Sequence, residues 1–227
     1  MKTLMHQIPL TRIQKLISRR MLVSKWTKPC FYIESKADVT GLMAIRPRLR
    51  KSLGIRITTN AFYIHALGLA AQRFSLAVGR FEGECIRLAE QINVGFAVNA
   101  PQGLVVPVIR EAHKKTLSEI ARLEKVLTDK ARDNELTLEE MEGETIALSN
   151  LGAYGIDSFL SIVPPPACTI LSVGNVVPAV VCRDGEMTVR KLLSMSLAVD
   201  RRIISETYAA EFMTFIKDRL EDPQQLT

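Results

Sequence analysis

Helical periodicity occupies both ends of this chain and strand periodicity its middle, and that segregation limits the possible folds more than any other feature. Residues 11–27 (TRIQKLISRRMLVSKWT) set Ile13, Leu16, Ile17 and Met21 on one helical stripe, with Thr11 as N-cap and Pro29 as stop. FYIESKADV reads as a strand, residues 40–53 as a helix ending before Gly54, and residues 60–74 (NAFYIHALGLAAQRF) as a buried helix. INVGFAVN (92–99) and LVVPVIR (104–110) read as strands flanking the turn APQG. Residues 115–133 read as a charged amphipathic helix with Leu117, Ile120, Leu123 and Leu127 inward. TIALSNL, CTILSVG, AVVCR and LSMSLAVD supply further strands. The block 205–221 is helical, burying Tyr208, Phe212, Phe215 and Ile216. This order predicts an α+β fold, a mixed β-sheet with covering helices. Without repeats, low-complexity stretches or a linker, residues 1–227 are expected to form a single domain, with 1–7 as a flexible N-terminus.

Composition narrows the function classes. Hydrophobic residues make up 47%, enough for a sizeable core. Apolar runs stay below the ~20 residues of a membrane helix, so no membrane association is expected. With no signal pattern, a cytoplasmic location is expected, or the mitochondrial matrix in a eukaryote. Cys30, Cys85, Cys168 and Cys182 lack metal-ligand spacing and do not cluster with His6, His65 or His113, so no metal site is expected. Residues 1–56 hold thirteen Lys/Arg against Glu34 and Asp38. That basic end suits an acidic partner or phosphorylated ligand, or is a solvated helix face. It lacks interleaved aromatics, so no nucleic-acid role is expected.

The stretch SLAVDRRIISE (196–206) ends an alternating run and opens the last amphipathic one, leaving Asp200, Arg201 and Arg202 at the turn. Taken with SNLGAYGIDSFLSIVPPPACTILSVG (149–174) and NVGFAVNAPQGLVVPVI (93–109), it resembles the catalytic core of the 2-oxo acid dehydrogenase dihydrolipoamide acyltransferases, on the pyruvate side of that family. The resemblance runs from about Ile8 to Leu226. It implies a chloramphenicol-acetyltransferase-like fold, a homotrimer with active sites between subunits, and acyl transfer between dihydrolipoamide and coenzyme A. Coenzyme A or a lipoyl or pantetheine thioester is then a possible substrate, with no covalently bound cofactor.

The resemblance also assigns residues. The family's base is the histidine of D-H-R-x-x-D-G, and a serine or threonine from the neighbouring subunit holds the oxyanion. Asp200 and Arg202 match the motif, and Ser149 matches the hydroxyl donor, with Asn150 beside it. Arg201 stands at the histidine position, Ser205 at the acidic or amide position and Glu206 at the glycine. Arginine has a pKa above ~12 and accepts no proton. The family's asparagine near position 78 is Val78 here, and its acidic turn is NAPQG, which places Asn99, Gln102, Gly103 and Leu104 in the expected substrate channel. Arg46 matches a helix arginine of the family and is either a surface charge or a partner for Asp200. His65 reads as a packed core residue, and His113 lies in a segment without a catalytic role in the family. Cys30 replaces a histidine. Gly152 and Gly155 read as backbone turns.

Two readings remain open. One is a catalytically impaired core that serves as a structural or accessory trimer, with an active acyltransferase paralogue, a lipoyl domain or a carrier domain as possible partners. The other is an active coenzyme A- or pantetheine-dependent acyltransferase with an altered mechanism. The chain starts near the core at HQIPLTRI, so no lipoyl or peripheral-subunit-binding domain is expected. Its polar ending EDPQQLT, with Leu226 alone, predicts a weak anchor between trimers.

Overall fold

A computed structural model describes residues 8–183 and 185–226, so the expected flexible segment 1–7 lies outside the described residues. The first helix, α1 (Arg12–Thr27), begins with the expected cap. Thr11 Oγ1 accepts from Gln14 N while Gln14 returns a bond to the Thr11 backbone, a capping box. The chain continues through β1 (Cys30–Asp38), α2 (Thr40–Leu53), α3 (Thr59–Arg73) and the short pair β2 (Gly79–Glu82) and β3 (Cys85–Leu88). Gly54 ends α2 at φ +65°, a conformation other residues adopt only with strain.

The two strands expected over 92–110 are four: β4 (Val94–Phe96), β5 (Val98–Ala100), β6 (Gly103–Val105) and β7 (Val108–Ile109). The reason is a change of sheet. β4 and β7 pair within the main sheet, whereas β5 and β6 leave it as a separate hairpin. Then follow α4 (Leu117–Arg132), β8 (Ile146–Asn150), β9 (Thr169–Arg183), β10 (Glu186–Asp200) and α5 (Glu206–Glu221). CTILSVG and AVVCR are one strand, β9, and its partner β10 is as long, so the two make a hairpin of two 15-residue strands.

The main sheet has the order β1-β10-β9-β8-β4-β7. β8 runs parallel to β4 and β9, and the other pairings are antiparallel, so the sheet is mixed as expected. Its Leu148, Leu171, Leu197 and Val199 face join α3, α4 and α5 in the main core. The opposite face holds a smaller cluster of Ala147, Val163, Ile170 and Ala198. Strand alternation therefore sends Ser149, Ser172, Ser196 and Asp200 to that second face.

In α4 the expected inward Leu123 is 37% exposed, and Glu124 is buried instead. Leu117, Ile120, Glu124, Leu127 and Ala131 form the buried stripe at steps of three and four. On α1, Leu16 is 53% and Trp26 80% exposed, so this helix leaves much of its apolar surface uncovered. At the chain end Pro223 and Leu226 are buried within this chain's own core, rather than standing out as an anchor. Among the described residues no helix is long and apolar enough to cross a membrane.

Candidate active site

The strand-to-helix turn is held from both sides. Asp200 is 1% exposed, and the Arg202 guanidinium grips it twice, Nε to Oδ1 at 2.9 Å and Nη2 to Oδ2 at 2.6 Å. The same guanidinium stacks 4.2 Å from the Phe81 ring centroid. Asp200 thus takes its neighbour Arg202 as partner, rather than Arg46. Asp200 N donates to Cys168 O and Arg201 N to Pro29 O, which pins the turn to β1 and to the entrance of β9.

Arg201 points outward and pairs with Glu206, Nε to Oε1 at 2.7 Å and Nη2 to Oε2 at 2.6 Å. That bond lowers the Glu206 carboxyl below its ordinary range. Ser205 caps α5, its Oγ accepting from Tyr208 N. Both positions of interest are therefore engaged in holding the turn and the helix start.

Around Asp200 lie groups that sequence reasoning did not single out together. Lys28 Nζ donates to Ala167 O. Burial pulls the Lys28 pKa down, and Asp200 opposes that shift. Cys30 pairs in register with Asp200 and its thiol is pushed up by burial, then by Asp200. Burial raises the Cys168 thiol to about 11. Both cysteines are therefore neutral thiols near neutral pH.

Ser149 belongs to another place. The register Ser149↔Ser172↔Ser196 puts it two strands across and four residues along from Asp200, roughly 16 Å by strand geometry. It opens on a cleft of about 560 Å³ at the end of β8, with Asn99, Leu104, Asn150, Tyr154 and Glu124 also on its walls. Asn99 Nδ2 lies 3.4 Å from the Tyr154 hydroxyl. Three expected channel residues thus stand apart from this cleft or at its edge. Gln102 Nε2 donates to Ala131 O, Gly103 makes the β5–β6 turn at φ +122°, and Val78 is buried beside a smaller cavity with Gly79 and Ala167. His65 is on α3 and His113 packs at Gly68 of the same helix.

The Asn150 wall of the cleft carries a relay. Asn150 Nδ2 donates to Asn60 Oδ1 at 2.7 Å and Asn150 Oδ1 accepts from Gly152 N at 2.8 Å. Asn60 and Thr58 both hydrogen-bond Glu124, the latter at 3.1 Å. Glu124 is 5% exposed, and burial raises its pKa despite these bonds and the more distant Arg132 and Arg56. The helical period itself places residue 124 inward with 120 and 127, a signal masked by the apolar appearance of Leu123.

Residues 3–227 match the family model for the 2-oxoacid dehydrogenases acyltransferase (catalytic domain). The chain belongs to that acyltransferase family. A dihydrolipoyllysine-residue acetyltransferase component of a pyruvate dehydrogenase complex from Rickettsia felis is 34% identical over 95% of this chain and 53% of its own length. The mitochondrial pyruvate dehydrogenase protein X component of Mus musculus is 31% identical over 97% of this chain and 45% of its own. The chain spans about half the length of the curated relatives it matches. The solved dihydrolipoamide acetyltransferase of Azotobacter vinelandii superimposes with a TM-score of 0.93 at 28% identity, covering 98% of this chain and 93% of that one. Its study concerns the roles of a serine, a histidine and an asparagine in the catalytic mechanism, the histidine fifty-two positions after the serine and the asparagine four after that. Chloramphenicol acetyltransferase, at 14% identity and a TM-score of 0.52 over 92% of this chain and 94% of its own, shares the fold alone with this acyltransferase-family chain.

Proposed function

We propose that this chain is an acyltransferase-family core that has lost its general base and works as an accessory trimer of a 2-oxo acid dehydrogenase type of assembly. The observation that carries the reading is Arg201. The intervals of the Azotobacter serine, histidine and asparagine lead here from Ser149 to Arg201 to Ser205. Thiol-to-thiol acyl transfer needs a group that takes the proton from the attacking thiol. A guanidinium bonded twice to Glu206 has no lone pair for it. Losing such a base typically costs ~10²–10⁴ in rate. Ser149 keeps its hydroxyl on an open cleft, so binding of a coenzyme A or lipoyl thioester at that wall survives in this reading. That half-site stands apart from the Asp200 turn on the same sheet face, which suits a site assembled from two copies. The reading adds an active paralogue or a lipoyl or carrier domain as partner, and a cytoplasmic or mitochondrial-matrix location.

The test is acetyl transfer from acetyl-CoA to dihydrolipoamide. Wild type is expected to turn over slowly, and Arg201→His to raise the rate by ~10² or more. A wild-type rate equal to that of an ordinary dihydrolipoamide acetyltransferase assayed alongside removes the reading. The second reading is an active acyltransferase with an altered mechanism. It is favoured by the retained Ser149 cleft and predicts full wild-type turnover that Arg201→His leaves unchanged.

A further inference from the structure

We propose that the cleft at the end of β8 binds a primary ammonium group on an apolar body, with the Glu124 carboxylate as its anchor. The inference goes beyond the thioester reading of that cleft and shares with it only that the cleft holds a ligand. A carboxylate buried to 5% exposure is costly unless it is paired. Among the described residues Glu124 makes no ion pair. Its partners are the neutral Thr58 hydroxyl and Asn60 amide. Those two bonds leave acceptor capacity on the two oxygens, which carry about four lone-pair sites. Glu124 is also among the residues that line the cleft.

The structural alternative is that Glu124 serves the start of α3. Thr58 caps that helix, its Oγ1 accepting from Ala61 N, and the same hydroxyl donates to Glu124. A glutamine still offers Thr58 an acceptor oxygen, so the helix-start bond itself does not require the charge, while the Asn60 amide then has to share that oxygen. A cationic ligand does require it.

The remaining walls define the rest of the ligand. Ala97, Val98, Leu104, Leu151 and Ile156 are apolar, and Tyr154 offers a ring; Asn99, Thr128 and the cation Arg132 also line the cleft, Arg132 standing eight residues, ~12 Å, along α4 from Glu124, so the ammonium head belongs at the Glu124 end. An ammonium head on an aliphatic or aromatic body matches that division. The charged groups facing Glu124 from its surroundings are Arg132, on its own helix, and Arg56, ahead of α3. Both favour the ionised carboxylate that an ammonium needs, and neither is within ion-pair distance of it. Ser149 and Asn150 point to opposite faces of β8, so the ammonium wall and the Ser149 wall flank the strand end. Ser149 and Glu124 both line the cleft there.

Calorimetry on the full chain with phenethylamine and its uncharged analogue 2-phenylethanol tests this. Wild type is expected to bind the amine at least about tenfold more tightly than the alcohol, since a charge-assisted hydrogen bond is worth that much. Glu124→Gln is expected to bring the amine down to the alcohol's affinity and to leave the alcohol unchanged. Equal binding of both by wild type, or a preference that survives Glu124→Gln, overturns the proposal. A readout that needs no variant is the ¹³C carboxyl resonance of Glu124. Saturating phenethylamine should lower its pKa and 2-phenylethanol should not; no difference between them counts against the proposal. The acetyl-transfer assay is independent, so a wild type that transfers acetyl groups rapidly removes the accessory reading without touching the ammonium preference.

Discussion

A guanidinium at position 201 differs from an imidazole in the one property that proton transfer needs, a lone pair free near neutral pH. Its bond to Glu206 lies at an exposed turn, so it contributes little stability. The Asp200–Arg202 pair differs, because Asp200 is 1% exposed and would be an uncompensated buried charge without its partner. Glu124 is a buried carboxylate too, and its burial has consequences for stability. Its folded pKa is raised, with burial as the leading cause. A raised pKa means that Glu124 contributes fully below the unfolded-state value near 4.3 and loses that contribution as pH climbs through the folded value. Glutamine does not titrate. The melting temperature of Glu124→Gln relative to wild type is therefore expected to rise between pH 4 and pH 8. Thermal unfolding at both pH values checks this, and a relative melting temperature that falls with pH contradicts it. The arginine at 201 was legible from motif position alone. Glu124 was not, because its neighbour Leu123 drew the hydrophobic stripe one residue aside.

At the level of elements, the long β9–β10 hairpin sets where the cleft and the turn stand relative to each other. Its register shifts between Leu193 and Met195, where Gly174 and Asn175 oppose Ser194 alone, a bulge. The bulge admits the segment before β9: Asn175 N donates to Ile156 O at 2.7 Å. A Cβ on Gly174 would sit 1.8 Å from Asp157 O, and one on Gly152 would sit 2.4 Å from Gly174 O. Gly174→Ala is expected to cost ~2 kcal/mol or more, read as a lower urea midpoint, and an unchanged midpoint contradicts the close approach. Gly155, by contrast, is a turn residue at φ +74° with open space around it, as its sequence context suggested. The start of α1 was legible because its cap is local: Thr11 bonds the backbone three residues on, as Thr116 and Ser205 do at α4 and α5. The break of the 92–110 strands was not, because leaving one sheet for another depends on partners distant in sequence.

For the whole molecule, the uncovered face of α1 and the strand tips of the hairpin, with Val180, Met187 and Val189 at 66–82% exposure, leave apolar side chains open to a partner. Together with the distance between the Ser149 cleft and the Asp200 turn, this predicts a trimer in solution. Sedimentation equilibrium should return three chains at micromolar concentration, and a monomer at that concentration would contradict it. The sequence by itself determined the helices, the strand content and the family, because period, caps and residue chemistry are written in neighbouring positions. Tertiary structure alone decided that Glu124 is buried in the Ser149 cleft, that Arg202 rather than Arg46 neutralises Asp200, and that Ser149 and Arg201 lie apart within one chain. Those are distances between segments far apart in sequence, and strand register and helix packing set them.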